Sequence, residues 1–318
     1  MKFHALLPVR DEADIIDQSL RHLLGWADAI YVFDTGSVDE TWEIVQEHAS
    51  RDARVIPLRK DSIYFSDTLL RGWIFHQARQ KMRNGDWFLR VDADEFHHIP
   101  PPEFVRTYLR PHETIAWHQY YNFHLTESER IAWESGAESR SDRSRPIEER
   151  RRWFTCGPYS EPRLCRYRDT MRWPATASFP YNAGYVARER LPIRHYPHRD
   201  PDQMNRRCLL RAIMTADHDF KLKMLPEDSH WKEQEWRKLV VPDGLTGLQK
   251  WEVGTNLPEF HYTTHLAPWP KRGVQRLTHA FGLPLLDRSR PDWSEKSYPQ
   301  RIPEWVQQEL LEKLSESA

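Results

Sequence analysis

The sequence predicts an α/β fold with a mostly parallel sheet flanked by helices. Strand-like and helix-like segments alternate through the first hundred residues, charged residues follow each strand, and beyond residue 100 the pattern changes to short strands, proline turns and irregular stretches. Alternation of this kind is typical of parallel sheets with helices on both faces. Charged residues make up 29% of the chain and apolar residues 39%, as in an ordinary globular protein.

The predicted elements of the first hundred residues follow from local periodicity. Short apolar runs predict buried strands, and they lie at 3–9, 29–33, 55–58 and 87–91. Apolar residues at helical spacing predict helices at 14–24 and 67–82. A third helix is expected to open at Ser37-Val38-Asp39-Glu40, which has the spacing of a capping box.

The second part of the chain predicts an irregular α+β lobe. Apolar residues alternate over 115–123, as in a strand, and helical spacing recurs at 103–109, 202–216 and 303–314. Residues 126–152 are polar with few apolar anchors, which predicts a mobile lid or a disordered loop. We therefore expect a first half over 1–125 that carries the main site, and a second, acceptor-side half over 126–318 that ends in helices.

Charge and hydropathy exclude several classes of protein. The formal net charge is −1, which does not predict electrostatic binding to nucleic acid or to an anionic membrane. No run approaches the roughly 18 apolar residues that a membrane span needs, and the N-terminal apolar run is too short for a signal peptide. Together with only three cysteines, these features predict a cytoplasmic protein without a membrane span.

Acidic and basic residues directly follow the predicted strands. Ligands of parallel α/β sheets bind beyond the carboxyl ends of the strands, so these residues lie where a ligand is expected. The most informative of these positions is Asp92-Ala93-Asp94, directly after the fourth strand. Two carboxylates at this spacing can approach one divalent cation, and Mg²⁺ and Mn²⁺ prefer oxygen ligands of this type. A metal at this point would neutralise a diphosphate leaving group.

Four motifs in this order resemble the family 2 glycosyltransferases, which have a GT-A, Rossmann-like fold. Residues 8–12 are similar to the family's opening motif, with Arg10-Asp11 where an Asn before the Glu is more usual, and residues 32–41 are similar to its Asp-x-x-Ser-x-Asp-x-Thr segment. Ala78-Arg79 and residues 85–95 are similar to the helix, the turn and the Asp-x-Asp strand. The resemblance covers about residues 3–98.

The resemblance implies an inverting transfer of a sugar from a UDP- or GDP-linked donor to a glycan or another hydroxyl acceptor, with Mn²⁺ or Mg²⁺ as cofactor. Asp34 is implied to bind the base, and Arg79 to help hold the donor. Asp94 is implied to bind the metal, and Asp92 the ribose or the metal. The full set of implied nucleotide-binding residues is Pro8, Arg10, Glu12, Asp34, Arg79 and Asp92.

The metal shell has two further candidates in the second half. His195 and His198 lie in a six-residue run of titratable groups, and family 2 members often carry a His-Tyr pair after the acceptor-side strands. Imidazole is a plausible third ligand for Mn²⁺. A hydrogen-bonded structural role is an equally good interpretation of each histidine.

The catalytic base is predicted less directly. An inverting transfer needs a carboxylate that removes the proton of the acceptor hydroxyl. Related sequences carry a His-Glu pair after an Arg-Leu-x-Arg motif and a Trp, whereas Ala177-Ser178-Phe179 stands at that position here. The candidates are Glu161, Asp200 and the acidic residues of 127–149.

Two other classes of protein are compatible with parts of the pattern. Phosphatases that form an aspartyl-phosphate also use Asp-x-Asp, but usually on the first strand, whereas the motif follows the fourth strand here. A non-catalytic nucleotide- or carbohydrate-binding protein on the same fold is the second alternative, since no His-Glu pair is present.

Overall fold

A computed structural model describes most of the chain. The described residues are 1–64, 67–157, 159–175, 177–181, 183–217, 235–259, 273, 292, 294, 298–299 and 301–316. The chain divides into two compact units, and each is built from segments that are not consecutive. The first unit comprises Met1–Tyr120, Gly157–Arg194 and Pro258–Gln300, and the second Tyr121–Cys156, His195–Leu257 and Arg301–Ala318.

The first unit contains the parallel sheet that the sequence predicts. Its first four strands are β1 (Phe3–Val9), β2 (Ala29–Asp34), β3 (Val55–Lys60) and β4 (Trp87–Arg90). β1 pairs in parallel with both β2 and β4, and β2 pairs in parallel with β3. Every residue of β1, β2 and β4 is buried, so these strands do not alternate between buried and exposed positions, and most of their residues are apolar.

Helices connect the parallel strands. They are α1 (Ile16–Leu24), α2 (Thr41–Arg51) and α3 (Asp67–Ala78), and a 3₁₀ turn at Arg79–Lys81 follows α3. The apolar side of α1 buries Ile16, Leu20 and Leu23, as its periodicity predicts. The mixed α/β class predicted from the sequence is therefore confirmed.

Antiparallel strands extend the sheet beyond β4 and hold the segment after the Asp-x-Asp motif. β5 (Glu95–His97) and α4 (Pro101–Tyr108) follow β4, and β6 (Ile115–Phe123) comes next. In the first unit, β8 (Pro162–Arg166) pairs antiparallel with β4 and with the first residues of β6. β8 therefore brings its side chains next to β4, the strand that precedes Asp92.

One apolar core packs α3 against the sheet of the first unit. It includes Leu6, Phe33, Ile74, Phe88 and Trp173, each fully buried. Fully burying a large apolar side chain stabilises a fold by about 1.5–3 kcal/mol. This packing gives α3 a fixed position beside the end of β4.

The second unit combines a small antiparallel sheet with helices. The end of β6 pairs with β7 (Trp153–Cys156), and β7 pairs with β10 (Gln249–Lys250). β9 (Leu191–His195) ends at His195, which is the first residue of this unit's second segment. The helices α7 (Pro201–Asp217) and α8 (Glu304–Glu316) follow later in the chain. The helices expected at 202–216 and 303–314 are thus present.

Of the two expectations for 126–152, the disordered loop is wrong and the mobile lid stays a prediction. The segment forms α5 (Glu127–Glu134), a 3₁₀ turn at Arg140–Ser144 and α6 (Ile147–Arg150). α5 begins with a complete capping box between Thr126 and Glu129. Arg150 and Arg151 are buried and pair with Glu138, so charged pairs supply the anchoring that apolar side chains usually provide.

Much of the stretch 226–300, which the sequence predicts to be mostly irregular, lies outside the described residues. Among the helices that the structure describes, none combines the length and the apolar character that a bilayer crossing requires.

We expect Gly36→Ala to lower the free energy of unfolding by more than 2 kcal/mol, roughly the sum of backbone strain and a steric clash. Gly36 has φ +100°, and an added Cβ would lie 2.7 Å from the Cα of Ser62. Gly136→Ala is the matched control, since Gly136 has φ +79° and nothing within 4 Å of an added Cβ. Urea denaturation measures both, and equal losses for the two variants would contradict the steric explanation.

Candidate active site

The loops that follow β1 and β2 are joined by hydrogen bonds. The Arg10 guanidinium donates from Nη1 to the Thr35 carbonyl at 2.7 Å. The Asp11 amide donates to Ser37 Oγ at 2.9 Å, and Asp11 Oδ1 accepts from the Val38 amide at 2.8 Å. Asp11 has φ 51°, an uncommon value outside glycine. These bonds fix the shape of the strand-end edge before any ligand arrives.

Two more bonds connect the same loops near the start of α2. The Glu12 amide donates to Thr41 Oγ1 at 2.8 Å, and the Ala13 amide donates to Asp39 Oδ2 at 3.2 Å. The Glu12 carbonyl accepts the amides of the first turn of α1, and Pro8 is buried within β1. The predicted nucleotide-binding residues of this loop thus lie together, with Glu12 partly exposed.

Asp34 is the most buried carboxylate of this edge. Its side chain is fully buried, and Oδ1 accepts the amides of Gly36 at 2.8 Å and Ser37 at 2.6 Å. Oδ2 is buried and has no hydrogen-bond partner among the described residues. Burial raises the pKa of Asp34 above its usual value, although the two amide bonds and Lys60 oppose the rise. One acceptor oxygen of Asp34 therefore has capacity for a further donor.

Asp92 follows β4 and lies between two guanidinium groups. Arg71 of α3 donates from Nη2 to Asp92 Oδ1 at 2.5 Å and from Nη1 to the Val91 carbonyl at 3.1 Å. Arg163 of β8 lies with Nη1 at 3.4 Å from Asp92 Oδ2. Burial alone would raise the pKa of Asp92, but Arg71 and Arg163 outweigh it and hold the pKa below its usual value. Asp92 is therefore ionised at neutral pH.

Arg163 also joins a buried set of oxygens next to Asp92. Its Nη2 donates to Glu95 Oε1 at 2.7 Å, and the Tyr120 hydroxyl contacts both of these groups. Glu95 Oε2 accepts the Asp92 amide at 3.1 Å. Burial raises the pKa of Tyr120 well above its usual value, which keeps the phenol protonated.

Glu161, one of the two predicted bases, lies at the edge of the same cluster. Its Oε1 is 3.3 Å from Arg90 Nη2 and 3.2 Å from Arg163 Nη2, and its Oε2 accepts from the Tyr159 hydroxyl at 2.8 Å. The Glu161 side chain is partly exposed, and the Tyr159 side chain is exposed. Two guanidinium groups thus hold the Glu161 carboxylate in position while part of its side chain stays accessible.

Arg79 and Arg71 have different partners in the first unit. Arg79, the predicted donor-binding arginine, donates to Asp292 Oδ2 at 2.9 Å and to the Asp169 carbonyl at 2.8 Å. Arg79 thus connects other segments of the first unit, and these contacts do not favour the predicted role in donor binding. Arg71 of α3, eight residues earlier, is the arginine that reaches Asp92.

Asp200, the other predicted base, has structural partners within the second unit. Arg143 donates to both of its oxygens, at 2.7 and 3.0 Å, and Arg150 lies 3.4 Å away. The Gln203 amide donates to Asp200 Oδ1 at 3.0 Å, as at a helix N-terminus. Asp200 is fully buried, so this arrangement favours capping of α7 over proton transfer.

The two predicted histidine ligands also lie in the second unit. His195 Nδ1 hydrogen-bonds with Asn122 Oδ1 at 2.8 Å. Burial lowers the pKa of His198 well below its usual value, and His198 Nδ1 has no hydrogen-bond partner among the described residues. Both observations are compatible with structural histidines, and a neutral imidazole is also the form that binds metals. Their role as metal ligands stays a prediction.

The donor atoms available for the predicted metal are the carboxylate oxygens of Asp92 and Asp94. In the part of the chain that the structure describes, no three His, Cys, Asp or Glu side chains converge as a metal site would require. Asp92 is ionised and 32% of its side chain is exposed, while Asp94 is buried beside it and interacts with it electrostatically. Two carboxylates fit a divalent cation that takes its remaining ligands from water and phosphate.

Sequence comparison identifies the class of this domain. The model of glycosyl transferase family 2 matches residues 5–162, about half of the chain. This segment is a family 2 glycosyltransferase domain, as the four motifs indicate. No curated protein matches the chain.

Solved structures give weaker similarities. The mannosyltransferase PcManGT from Pyrobaculum calidifontis, in complex with GDP-Man and Mn²⁺, is 14% identical with a TM-score of 0.29, over 42% of this chain and 40% of that one. Mannosyl-3-phosphoglycerate synthase from Rubrobacter xylanophilus is 16% identical with a TM-score of 0.26, over 41% and 42%. The chain thus spans less than half the length of these proteins, and such low scores do not identify a substrate.

Three residues of the cluster around Asp92 were not predicted as site residues: Arg71, Glu95 and Tyr120. For Arg163, which lies near Arg166 and Arg168, the sequence leaves open binding of a diphosphate or an anionic acceptor and favours a solvated basic face, whereas the structure buries it beside Asp92. One signal was available for Arg71, a cation next to Leu70 on the apolar side of a predicted helix. Glu95 directly extends the Asp-x-Asp motif. Tyr120 and Arg163 reach the site only through antiparallel pairing of β6 and β8, which local periodicity does not predict.

Replacing Asp34 with Asn is expected to remove a pH-dependent part of the stability. Because burial raises the pKa of Asp34, its contribution to stability is complete only below its unfolded-state pKa and is lost as pH rises through the folded-state pKa. The variant should therefore gain free energy of unfolding relative to the wild type as pH rises from below the unfolded-state pKa of Asp34 to above its folded-state pKa. Urea denaturation at several pH values measures this difference.

Asp52→Asn is the matched control for this experiment. Hydrogen bonds from Arg54 lower the pKa of Asp52, so its contribution is present above the unfolded-state pKa and is lost as pH falls. The control should lose stability relative to the wild type as pH rises, with the opposite sign to Asp34→Asn. The same sign in both variants would refute the buried-charge account of Asp34.

Proposed function

We propose that the protein is a glycosyltransferase that moves a sugar from a nucleotide-diphosphate donor to a hydroxyl acceptor. The observation that carries the proposal is the family 2 match over residues 5–162, which includes the carboxylates at the ends of β1, β2 and β4. β2 and β4 lie on either side of β1, so Asp34 and Asp92 follow strands that are neighbours of one central strand. This edge is where ligands bind on parallel α/β sheets.

The donor is proposed to lie along this edge with its nucleoside toward β2. The unpartnered Oδ2 of Asp34 can accept a hydrogen bond from the base or the ribose. The side chains of Arg10 and Glu12 belong to the same fixed loops.

The diphosphate is proposed to lie toward Asp92 and Asp94. These two carboxylates would hold Mn²⁺ or Mg²⁺, and the cation would neutralise the charge that develops on the leaving diphosphate. Arg71 and Arg163 keep Asp92 ionised, and Glu95 fixes its backbone. The chain thus contributes a preorganised carboxylate.

The transfer itself is proposed to proceed with inversion at the anomeric carbon. The acceptor oxygen forms the new glycosidic bond, the bond to the diphosphate oxygen breaks, and the acceptor proton passes to a carboxylate base. Glu161 is the proposed base rather than Asp200, because the Glu161 side chain is partly exposed and Asp200 is fully buried in ion pairs. UDP- and GDP-linked sugars are the proposed donors, and a glycan or another hydroxyl compound is the proposed acceptor.

Nucleotide binding tests the first part of the proposal. We expect UDP or GDP to raise the melting temperature in the presence of Mn²⁺, because a ligand at 100 times its Kd stabilises the folded state by about 2.7 kcal/mol. Asp94→Asn should weaken this binding at least about tenfold, which corresponds to about 1.4 kcal/mol. Glu103→Gln, which removes an exposed carboxylate on α4, should bind like the wild type.

Release of free nucleotide from UDP- and GDP-linked sugars tests the second part. Turnover in the wild type and its loss in Asp94→Asn are the expected results. Binding without any turnover, with acceptor sugars present, would favour the non-catalytic binding protein. No melting shift with either nucleotide would overturn the proposal as a whole.

A further inference from the structure

Arg163 is the central cation of the cluster next to Asp92. Its side chain is only 4% exposed, and its two terminal nitrogens contact Asp92, Glu95, Glu161 and the Tyr120 hydroxyl. A guanidinium group can serve several oxygens at once because its N–H donors lie in a fixed plane. Four oxygen-bearing side chains from three different parts of the chain are therefore held by one residue.

The contacts of Arg163 close a ring that includes the backbone of Asp92. Arg163 Nη2 donates to Glu95 Oε1, Glu95 Oε2 accepts the Asp92 amide, and Asp92 Oδ2 faces Arg163 Nη1. The Glu95 amide also donates to the Asp92 carbonyl at 3.1 Å. Arg163 thus restrains the side chain of Asp92 directly and its main chain through Glu95.

The members of this ring differ in their exposure. Glu95 is 1% exposed, whereas 32% of the Asp92 side chain is accessible. The buried members restrain one carboxylate that faces solvent. Burying charged groups is costly unless each is paired with good geometry, so a ring of this type is stable only with all of its partners in place.

We propose that Arg163 is a positioning residue, which fixes the Asp92 carboxylate for the transfer reaction through the ring with Glu95. The inference rests on the proposed glycosyltransferase function. Arg163 touches Asp92 and not the reacting atoms, so its effect on the reaction passes through Asp92. A small displacement of a group that contacts the reacting diphosphate costs about 100-fold in rate.

Replacing the guanidinium separates this role from a general loss of structure. Arg163→Met removes the charge but keeps a long side chain, and Arg163→Lys keeps the charge but loses the planar arrangement of donors. With the donor that the wild type turns over, we expect Arg163→Met to lower kcat at least about tenfold and to change the KM for that donor less than about threefold. Arg163→Lys should recover part of the lost kcat.

A double-mutant cycle tests whether Arg163 acts through Asp92. If it does, Arg163→Met should lower kcat/KM by less than about threefold in an Asp92→Asn background, because the group that it positions has already been altered. Additive losses in kcat/KM, or an Arg163→Met variant with the kcat of the wild type, would overturn the proposal.

Two further variants keep the test decisive. Arg166→Met is the control, since Arg166 lies on the same strand with an exposed side chain, and it should leave kcat within about twofold of the wild type, in the range expected for surface changes.

Should Arg163→Met fail to fold, Tyr120→Phe removes only the hydroxyl that Glu95 and Arg163 share, and it should lower kcat without changing the donor KM. An unchanged kcat in Tyr120→Phe and in Arg163→Lys would then refute the positioning role. Absence of turnover in the wild type would overturn the proposed function as well.

Discussion

The site depends on the pairing of charged side chains that are buried at the carboxyl ends of parallel strands. Asp34 and Glu95 are buried and Asp92 is partly exposed, and all three lie close to the carboxyl ends of β2 and β4. An unpaired buried charge there would cost several kcal/mol, roughly the whole stability of a domain. The chain meets this constraint with amide donors at Asp34 and with guanidinium groups at Asp92. The same pairing that stabilises the fold also fixes the carboxylates in place.

The carboxylates of Asp34 and Asp92 are paired with different kinds of donor, and this difference fits the two parts of the proposed nucleotide-sugar donor. Around Asp34 the donors are backbone amides of the β2 loop, which leaves one carboxylate oxygen unpartnered, and burial raises the pKa of the group above its usual value. Around Asp92 the donors are arginines, which keep the carboxylate ionised. A nucleoside needs hydrogen-bond acceptors, whereas a cation with a diphosphate needs negative charge.

Much of the fold and the position of the candidate site could be predicted from the sequence, because both depend on local patterns. The strands that end at Val9, Asp34 and Arg90 are short apolar runs, and periodicity alone places their ends within about two residues, the usual uncertainty of element boundaries. Long-range pairing could not be predicted in this way. Arg163 reaches Asp92 because β8 pairs with β4, and residues 126–152 are ordered because Arg150 and Arg151 are buried in ion pairs, which their polar composition conceals.

The most direct test of the central claim is a crystal structure of the protein with UDP or GDP and Mn²⁺. The account predicts that the base or ribose lies within hydrogen-bond distance of Asp34 Oδ2, that the metal is bound by Asp94 or Asp92, and that Arg163 keeps its contacts with Glu95 and Asp92. A nucleotide bound elsewhere in the molecule, or one bound at this edge without contact to Asp34, Asp92 or Asp94, would contradict it.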